Sequence, residues 1–450
     1  MKKQFTILAL FMVSIVCLSQ ATMAQQWYKG NMHMHSIWSD GNALPEQAID
    51  WYKDRGYDFV SLTDHTVMQD TTDTWRPVGD RPLTQEVYDK YVERYGTDWV
   101  ETRQEDGKTL VRLKTFPEFI EKLSIPDKFL IIPGHEQNAG IRVPTGFEQD
   151  TDTPFPVRAV HNNVINVADS IRFQFGPTVA GTIRKNVNVL EQYRAETGRE
   201  TLFIAAHPFW VYFDIYPQDL IDVPEVRFFE LLNCPPVYNQ HPEFWSFEKF
   251  WDVINAFRLD AGNLPLYGVG QDDTHNYWQP GPKMRDLGNY WMMVRAKSLT
   301  TENILRAMYQ GDFYTSSGVT FDYLTFDKAT RTLSVKVKAE PDTKYVIRFN
   351  GTKKGFDKST RMVEDPAGEK KQARIFPVYS DDIGAVFKQV EGLEASYTMA
   401  NDDLYVRVTV VSDSEANYLN DTTGYMPTHQ SAWSQPYSGL FKYPFEISGN

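Results

Sequence analysis

Four short apolar runs, each followed at once by polar residues, constrain the fold of this chain more than any other feature. The runs cover residues 59–62, 129–132, 202–205 and 266–269. Runs of this length and apolarity are typical of buried strands in a mostly parallel sheet. Stretches with the periodicity of amphipathic helices lie around them, as in residues 45–55 and 301–310, and each of these two is followed by a glycine. The alternation over residues 27–318 predicts an α/β domain.

Two segments depart from this alternation. Residues 66–128 insert a long polar stretch that is either an active-site lid or a surface subdomain packed by its own aromatic residues. These are Trp75, Tyr88, Tyr91, Tyr95 and Trp99. After Gly318, apolar and polar residues alternate with period two, as in residues 332–337 and 404–410. This pattern predicts a small antiparallel, sandwich-like β domain over residues 319–450, docked against a first domain of residues 25–318.

The first 24 residues have the pattern of a signal peptide. Two lysines form a basic start, residues 7–16 form an apolar run, and small residues precede Gln25. The apolar run is shorter than the roughly 20 residues that a membrane-spanning helix needs. We therefore expect an exported, periplasmic or secreted protein that begins near Gln25. Lipid anchoring at Cys17 ranks second, because the bulky Val16 precedes that cysteine.

Charge and cysteine content narrow the classes of partner. The formal net charge is −13, and removing a leader with two lysines and no acidic residue takes it to −15. A surface that acidic repels polyanions, so stable nucleic-acid binding is not expected. A small anionic substrate stays compatible with this charge if bound divalent cations offset it locally. Only Cys234 would remain after cleavage, which leaves no pair for an intrachain disulfide and no thiolate cage for a metal.

The first candidate site residues are His33 and His35 in the sequence Asn31-Met32-His33-Met34-His35. Alternate side chains of a strand point to one face, so one metal ion could take both imidazoles. An H-x-H pair is weak evidence by itself in a chain of 450 residues with 9 histidines. Asp40 strengthens it, because a carboxylate in the Ser-Asp-Gly turn that follows can fold back onto the strand end.

Further histidines and acidic residues follow the other predicted strands. They are His65, Glu136, His161, His207, Asp273 and His275. In an open α/β sheet or a barrel, side chains just past the carboxyl ends of parallel strands converge on one crevice. A single histidine of this kind is more often a hydrogen-bonded core residue, but six at strand ends favour a metal site. His135, His241 and His429 stay outside this set.

The ordered series H-M-H, S-D-G, T-D-H, G-H-E, V-H-N, A-H-P and D-D-T-H resembles the successive metal motifs of the PHP (polymerase and histidinol phosphatase) family. The resemblance implies a distorted (β/α)7 barrel that holds two or three divalent metal ions. It also implies nine metal ligands, which are His33, His35, Asp40, His65, Glu136, His161, His207, Asp273 and His275. A less specific similarity covers residues 228–233 and 313–318. The insertion at residues 66–128 departs from the short connection of many members, so the resemblance implies no particular substrate.

The tandem Asp272-Asp273 leaves one ligand ambiguous. The family spacing, with one residue between Asp and His, favours Asp273. Strand geometry agrees: if the strand continues from Gly270 to His275, Asp273 and His275 share a face and Asp272 points away. Asp272 is then expected to accept a hydrogen bond from a ligand imidazole or to cap a nearby helix.

Imidazole and carboxylate ligands without thiolate suit Mn, Fe or Zn, and clustered ions of this kind activate water for hydrolysis. We therefore expect a phosphoesterase that cleaves a small phosphate mono- or diester, with Asp273 in the catalytic centre and His207 or His275 protonating the leaving group. An amidohydrolase-like enzyme acting on a C–N or C–O bond is one alternative, although no lysine lies in the motifs. A non-catalytic, metal-stabilised protein that binds a carbohydrate or a surface is the other, and turnover would discriminate it.

Overall fold

The structure is a computed structural model that describes residues 25–142, 157–208, 210, 215–233, 241–278, 287–365, 374–416 and 427–438. The expectations for the signal peptide, for Cys17 and for Cys234 lie outside these ranges. Within them, no helix combines the length and the apolar character that crossing a membrane requires.

The predicted runs form strands, and helices separate most of them. Up to residue 318 the elements in chain order are β1 (Gln26–Asn31), α1 (Pro45–Lys53), β2 (Phe59–Leu62), β3 (Trp75–Pro77), α2 (Gln85–Tyr95), β4 (Thr102–Glu105), β5 (Lys108–Arg112), α3 (Phe116–Leu123), β6 (Leu130–Arg142), β7 (Val157–Ile165), α4 (Val179–Thr197), β8 (Leu202–Ala205), α5 (Pro217–Ile221), β9 (Phe228–Leu232), α6 (Phe247–Asp260), β10 (Tyr267–Gly270), β11 (Trp291–Ala296), α7 (Thr301–Tyr309) and β12 (Phe313–Ser316). The four predicted strands are β2, β6, β8 and β10, and only β6 runs much further than predicted. The α/β class is confirmed.

Helices α1 and α7 begin where the sequence predicts and end two residues and one residue earlier, respectively. In α1 the side chains of Ala48, Ile49 and Tyr52 are buried, which gives the helix its apolar face. Gly56 after α1 and Gly311 after α7 have φ values of 72° and 69°. Glycine adopts this left-handed conformation without the penalty of a side chain, so both helices stop there.

Apart from β3, β4 and β5, the strands of this first part lie in one mixed sheet in the order β10-β9-β8-β7-β6-β2-β1-β11-β12. Strands β1, β2 and β6 run parallel to one another, as do β8, β9 and β10. Strand β7 is antiparallel to both of its neighbours, β6 and β8. This reversal departs from the regular alternation of a (β/α)7 barrel.

The segments that follow β1 and β10 lie side by side, although five strands lie between β1 and β10 in the sheet. Met34 forms a parallel bridge with Thr274, and the backbone N–H of His35 donates to the carbonyl of Thr274 at 2.8 Å. Asp273 donates its N–H to the carbonyl of His33 at 2.9 Å. The residues past the ends of β1 and β10 are therefore fixed against each other. The distorted seven-stranded barrel itself stays a prediction.

Within residues 66–128, the elements β3, α2, β4, β5 and α3 form a unit with its own three-stranded sheet in the order β3-β5-β4. Tyr91 is buried there in a hydrophobic cluster that also contains Trp38. The hydroxyl of Tyr91 and the indole N–H of Trp99 both donate to Oε1 of Glu46 in α1, at 2.7 and 2.8 Å. The aromatic residues therefore pack this unit onto α1. A lid function stays a prediction.

Every element described after residue 318 is a strand. These are β13 (Phe321–Asp327), β14 (Thr332–Val337), β15 (Tyr345–Lys353), β16 (Thr360–Asp365), β17 (Arg374–Tyr379), β18 (Ala385–Glu391), β19 (Glu394–Thr398), β20 (Asp403–Glu415) and β21 (His429–Ser434). Strands β13, β14 and β19 form one sheet, and their Leu333 and Val335 share a core with Ile347 and Val408 of the facing strands β15 and β20. The two layers form a sandwich.

The two parts of the chain are joined through backbone pairing and a buried ion cluster. Strand β21 pairs with β12, so β21-β20-β15-β18 extends the first sheet to 13 strands. Arg407 of β20 is buried and contacts Asp252 of α6 through two nitrogens at 2.6 and 2.8 Å. Its guanidinium also lies 2.7 Å from Glu248. Backbone pairing and this ion cluster therefore join the strands after residue 318 to the elements before it. The division into two domains at residue 318 stays a prediction.

Candidate metal centre

The nine residues that the resemblance implies as ligands are brought together in three groups. In each group the possible ligand atoms lie within 4.8 Å of one another. The groups are His35, Asp40, His65 and His275; His33, His35, Glu136 and Asp273; and Glu136, His161 and His207. His35 and Glu136 each belong to two groups. The structure therefore brings all nine predicted residues together, and their role as metal ligands stays a prediction.

His33 and His35 lie just beyond the end of β1, whereas the sequence placed them on the strand. The bridge at Met34 keeps the extended course of the chain, so both imidazoles still face the same way. Their Nε2 atoms approach Oδ1 of Asp273 at 3.1 and 2.9 Å. The expectation that one ion could take both imidazoles therefore agrees with their geometry.

Glu136, in the middle of the long strand β6, occupies the centre of the cluster. Its Oε1 lies 3.0 Å from Nδ1 of His161 and 3.2 Å from Nε2 of His207. Its Oε2 lies 3.4 Å from Nε2 of His33, 3.4 Å from Nε2 of His35 and 2.8 Å from Nδ1 of His65. One buried carboxylate thus faces five imidazoles, with each oxygen turned toward a different set.

Asp273 lies in the cluster and Asp272 does not, but the reason differs from the one that strand geometry gave. Strand β10 ends at Gly270, and Asp273 has φ of 55°, so the chain is not extended there. Asp272 accepts from the hydroxyl of Tyr52 at 3.0 Å and from the backbone N–H groups of residues 288, 289 and 290 at 2.8 to 3.0 Å. The predicted partners of Asp272, a ligand imidazole or a helix end, are therefore wrong. The donors to Asp272 are instead Tyr52 and the backbone of the loop before β11.

Asp40 forms the solvent-facing side of the centre. Its carboxylate lies 3.3 Å from Nε2 of His275 and 3.6 Å from Nε2 of His65, and its side chain is 57% exposed. The neighbouring Asp64 is buried and accepts from Ser36 and Ser39 through both their backbone N–H groups and their hydroxyls. Asp64 therefore holds the turn that carries Asp40 close to the strand ends.

Glu230 is a buried residue of the centre that the sequence reasoning missed. Its Oε1 lies 2.5 Å from Nδ1 of His33. The signal was present, since Glu230 is the one charged residue within the apolar strand β9. The resemblance covers this segment only as a strand and implies no role for its carboxylate.

Opposite charges packed at close range shift the pKa values of the cluster. Burial alone would lower the pKa of His33, but Asp273 and other carboxylates raise it well above its ordinary value. For His65, contacts with Asp40 and Glu136 outweigh burial and raise the pKa to about 10. The pKa of Glu136 is raised by burial and lowered further by His33, so it lies well below its ordinary value. His33 and His65 therefore hold protons strongly, whereas burial and the neighbouring His275 lower the pKa of His35 to about 3. A divalent cation can replace the protons on such imidazoles.

The donor atoms fit divalent cations. Nε2 of His33, Nδ1 of His65 and Oε2 of Glu136 are buried and find no hydrogen-bond partner among the described residues. Even so, Oε2 of Glu136 lies 3.4 Å from Nε2 of His33 and 2.8 Å from Nδ1 of His65. Buried polar atoms are normally hydrogen-bonded, and converging lone pairs are the arrangement that a cation satisfies. Imidazole nitrogens and carboxylate oxygens suit Mn, Fe or Zn.

His135 and Trp210 lie next to the imidazole cluster. His135 precedes Glu136 but points elsewhere, since its Nε2 accepts from the backbone N–H of Ile171 at 2.9 Å. The indole of Trp210 stacks on His207 with ring centroids 4.3 Å apart and an interplanar angle of 25°. His207 is thereby covered, and its side chain is 2% exposed.

No protein-family model and no curated protein matches this chain. Among solved structures it is similar to a two-domain protein from Bacteroides vulgatus containing a predicted PHP-like metal-dependent phosphoesterase. That similarity has a TM-score of 0.35 and 14% identity, and covers 86% of this chain and 90% of the other. A protein from Bifidobacterium adolescentis, described as a metal-dependent phosphoesterase, gives a TM-score of 0.28 and 12% identity over 56% of this chain and 89% of the other. Similarity at this level does not establish a shared fold or activity.

Proposed function

We propose that this chain is a PHP-type metal-dependent phosphoesterase that hydrolyses a small phosphate mono- or diester. The observation that carries the proposal is the position of Glu136, whose two oxygens face imidazoles of different groups. If metal ions bind, Glu136 would be a ligand common to two of the groups, and a pair of ions would stabilise both the attacking and the leaving oxygen of a phosphate ester. Two or three ions of Mn, Zn or Fe are the expected cofactors.

The charge of the site favours an anionic substrate only when cations are bound. Four carboxylates, those of Asp40, Glu136, Glu230 and Asp273, lie in or against the imidazole cluster. Without cations they would repel a phosphate group. Two divalent ions neutralise the four negative charges, and a third makes the site positive. The acidic chain can therefore still bind a small phosphate ester at this one place.

When bound, such ions supply charge to the phosphate oxygens and lower the pKa of water so that it can attack phosphorus. Hydrolysis would form one P–O bond to the oxygen of water and break the bond to the leaving oxygen, while water gives up one proton and the leaving oxygen takes one up. Of the two predicted acids, His275 is 26% exposed at the open side with Asp40, whereas His207 is 2% exposed beneath Trp210. We therefore assign proton donation to His275. His207 and Asp273 would then act as metal ligands only.

The seven strands from β1 to β10 would form the distorted barrel of this family, since the segments past its two outer strands meet at Met34 and Thr274. The signal-peptide pattern of residues 1–24 supports a periplasmic or secreted enzyme. We propose the barrel fold and the export together with the activity.

The test is metal analysis followed by turnover. The purified full chain is assayed for bound metals by mass spectrometry, then loaded with Mn, Fe or Zn. Each form is incubated with p-nitrophenyl phosphate, bis-p-nitrophenyl phosphate and a set of nucleotides, and with p-nitrophenyl acetate and N-acyl amides. We expect phosphate or p-nitrophenol release from at least one phosphate ester, and loss of that release with EDTA.

Adjacent substitutions supply the control. Glu136→Gln should lose metal and turnover together, whereas His135→Gln, which changes the preceding buried residue and can still accept from Ile171, should keep both. Bound metal without hydrolysis of any ester or amide would contradict the proposal and favour a metal-stabilised binding protein. Cleavage of amides or carboxylic esters alone would instead favour an amidohydrolase-like enzyme.

A further inference from the structure

Glu230 is a fully buried carboxylate that touches the metal centre without belonging to any of its three groups. It lies on β9, between apolar residues that are all buried. A buried carboxylate without strong partners is costly, so its contacts should show what it does. The inference below rests on the proposed function, because it concerns how that centre is held.

Each oxygen of Glu230 receives two donors. Oε1 lies 2.5 Å from Nδ1 of His33 and 3.1 Å from the side-chain nitrogen of Asn163. Oε2 accepts from the backbone N–H of His207 at 2.8 Å and from the side chain of Asn233 at 2.6 Å. Both oxygens must therefore be acceptors. A carboxylate meets this demand, whereas a glutamine would turn its NH2 group toward two of the four donors.

The contact with His33 determines which ring nitrogen carries hydrogen. In the neutral ring, which is the form that binds a cation, Nδ1–H donates to Glu230 and Nε2 keeps its lone pair; Nε2 is the atom aimed at Glu136 and Asp273 at 3.4 and 3.1 Å. A carboxylate on the far nitrogen of a ligand imidazole fixes the ring and makes it a stronger ligand. Glu230 therefore prepares His33 for a cation.

The contact with His207 involves the backbone. His207 has φ of 26°, a conformation that residues other than glycine rarely adopt. Its N–H is held by Oε2 of Glu230 inside the protein. Through this bond, the same carboxylate that orients His33 in one group fixes the main chain of His207 in another.

We infer that Glu230 is a positioning residue that orients His33 and His207 together and so couples two of the three groups of ligands. Removing its second acceptor oxygen should weaken the binding of metal. It should do so although Glu230 does not itself belong to a group of possible ligands.

The experiment compares Glu230→Gln with Asp252→Asn. Asp252 is also a buried carboxylate with several strong donors, but it lies in α6 against Arg407 and Tyr405. Both full-length proteins are stripped with chelator and titrated with Mn²⁺ and Zn²⁺ against a competing chelator, and their melting temperatures are measured without metal. We expect Glu230→Gln to lose about 10- to 100-fold in affinity for at least one ion. Asp252→Asn should melt earlier but bind metal as the wild type does.

A purely structural role for Glu230 predicts a lower melting temperature with unchanged metal affinity, and that result would overturn the inference. If Glu230→Gln does not fold, Glu230→Asp is measured in the same way. It keeps the carboxylate and shortens its reach, so unchanged affinity again refutes the idea and a loss supports it. Wild-type protein that binds its ions but cleaves no phosphate ester would contradict the proposed function and leave this inference standing. An active wild type whose Glu230→Gln form binds metal normally would contradict this inference alone.

Discussion

Replacing Asp273 with Asn should remove one metal ion, whereas the same change at Asp272 should remove none. Oδ1 of Asp273 lies 3.1 and 2.9 Å from the Nε2 atoms of His33 and His35. Asparagine keeps the shape of the side chain but presents one neutral oxygen and one NH2 group. Any ion in that group would lose a charged ligand and keep three donors. Because loss of an outer partner already costs about 10- to 100-fold in affinity, we expect more than 100-fold here, or about 3 kcal/mol.

Asp272 is a matched control, since it is the preceding residue and is also buried. Its four hydrogen bonds go to Tyr52 and to backbone N–H groups of residues 288–290. Its carboxylate makes no bond to an imidazole in the described part of the chain, so its variant should bind metal within 10-fold of the wild type. The assay is metal content after dialysis, together with chelator competition, on protein whose circular dichroism shows that it is folded. Loss of metal in Asp272→Asn with retention in Asp273→Asn would reverse the assignment.

Four further outcomes are expected. Mass spectrometry of the exported protein should find an N-terminus near Gln25, and Met1 at the terminus would contradict the signal peptide. Residues 76–111 can be replaced by a short glycine linker, because Trp75 and Arg112 are paired neighbours in β3 and β5. This variant should change KM or substrate choice more than metal content, and unaltered kinetics on every substrate would reject a lid. Burial raises the pKa of Glu248, and Arg407 outweighs this, so its pKa is lowered. Its stabilising contribution is therefore present above about pH 4.5 and lost as the pH falls, and Glu248→Gln should unfold with a weaker dependence on acid, measured by urea titration from pH 3 to 7. Removing the ions with EDTA should lower the melting temperature through repulsion among the carboxylates, and Mn²⁺ should restore it; an equal melting temperature in both forms would argue against metal binding.

Several residues of the candidate centre could be predicted because they follow short apolar runs, and such runs are local in sequence. His65, after β2, is of this kind, and so is His207, after β8. The direction of β7 could not be predicted, because it depends on pairing between β6 and β8 that no local pattern encodes. Strand ends were also uncertain, as the φ of 55° at Asp273 shows.

Contacts between distant segments were the other limit. Asp272 is held by residues 288–290, which carry no motif that points to it. Glu230 was visible as a lone charge in an apolar strand, but its role depends on His33, nearly two hundred residues earlier. Periodicity predicts which face of an element is buried. It does not predict which distant donor a buried carboxylate will meet.

The pairing of β12 with β21 has a consequence for how this chain can be divided. A fragment that stops at Gly318 would keep all nine residues of the metal centre but would leave β12 as a bare sheet edge, because β21 comes more than a hundred residues later. An uncovered edge offers its N–H and C=O groups to any other strand, and fragments of this kind tend to aggregate through it. It would also leave the carboxylates of Asp252 and Glu248 without the arginine that neutralises them. We therefore expect the strands after residue 318 to protect this edge, and the smallest soluble unit that carries the candidate centre should include them.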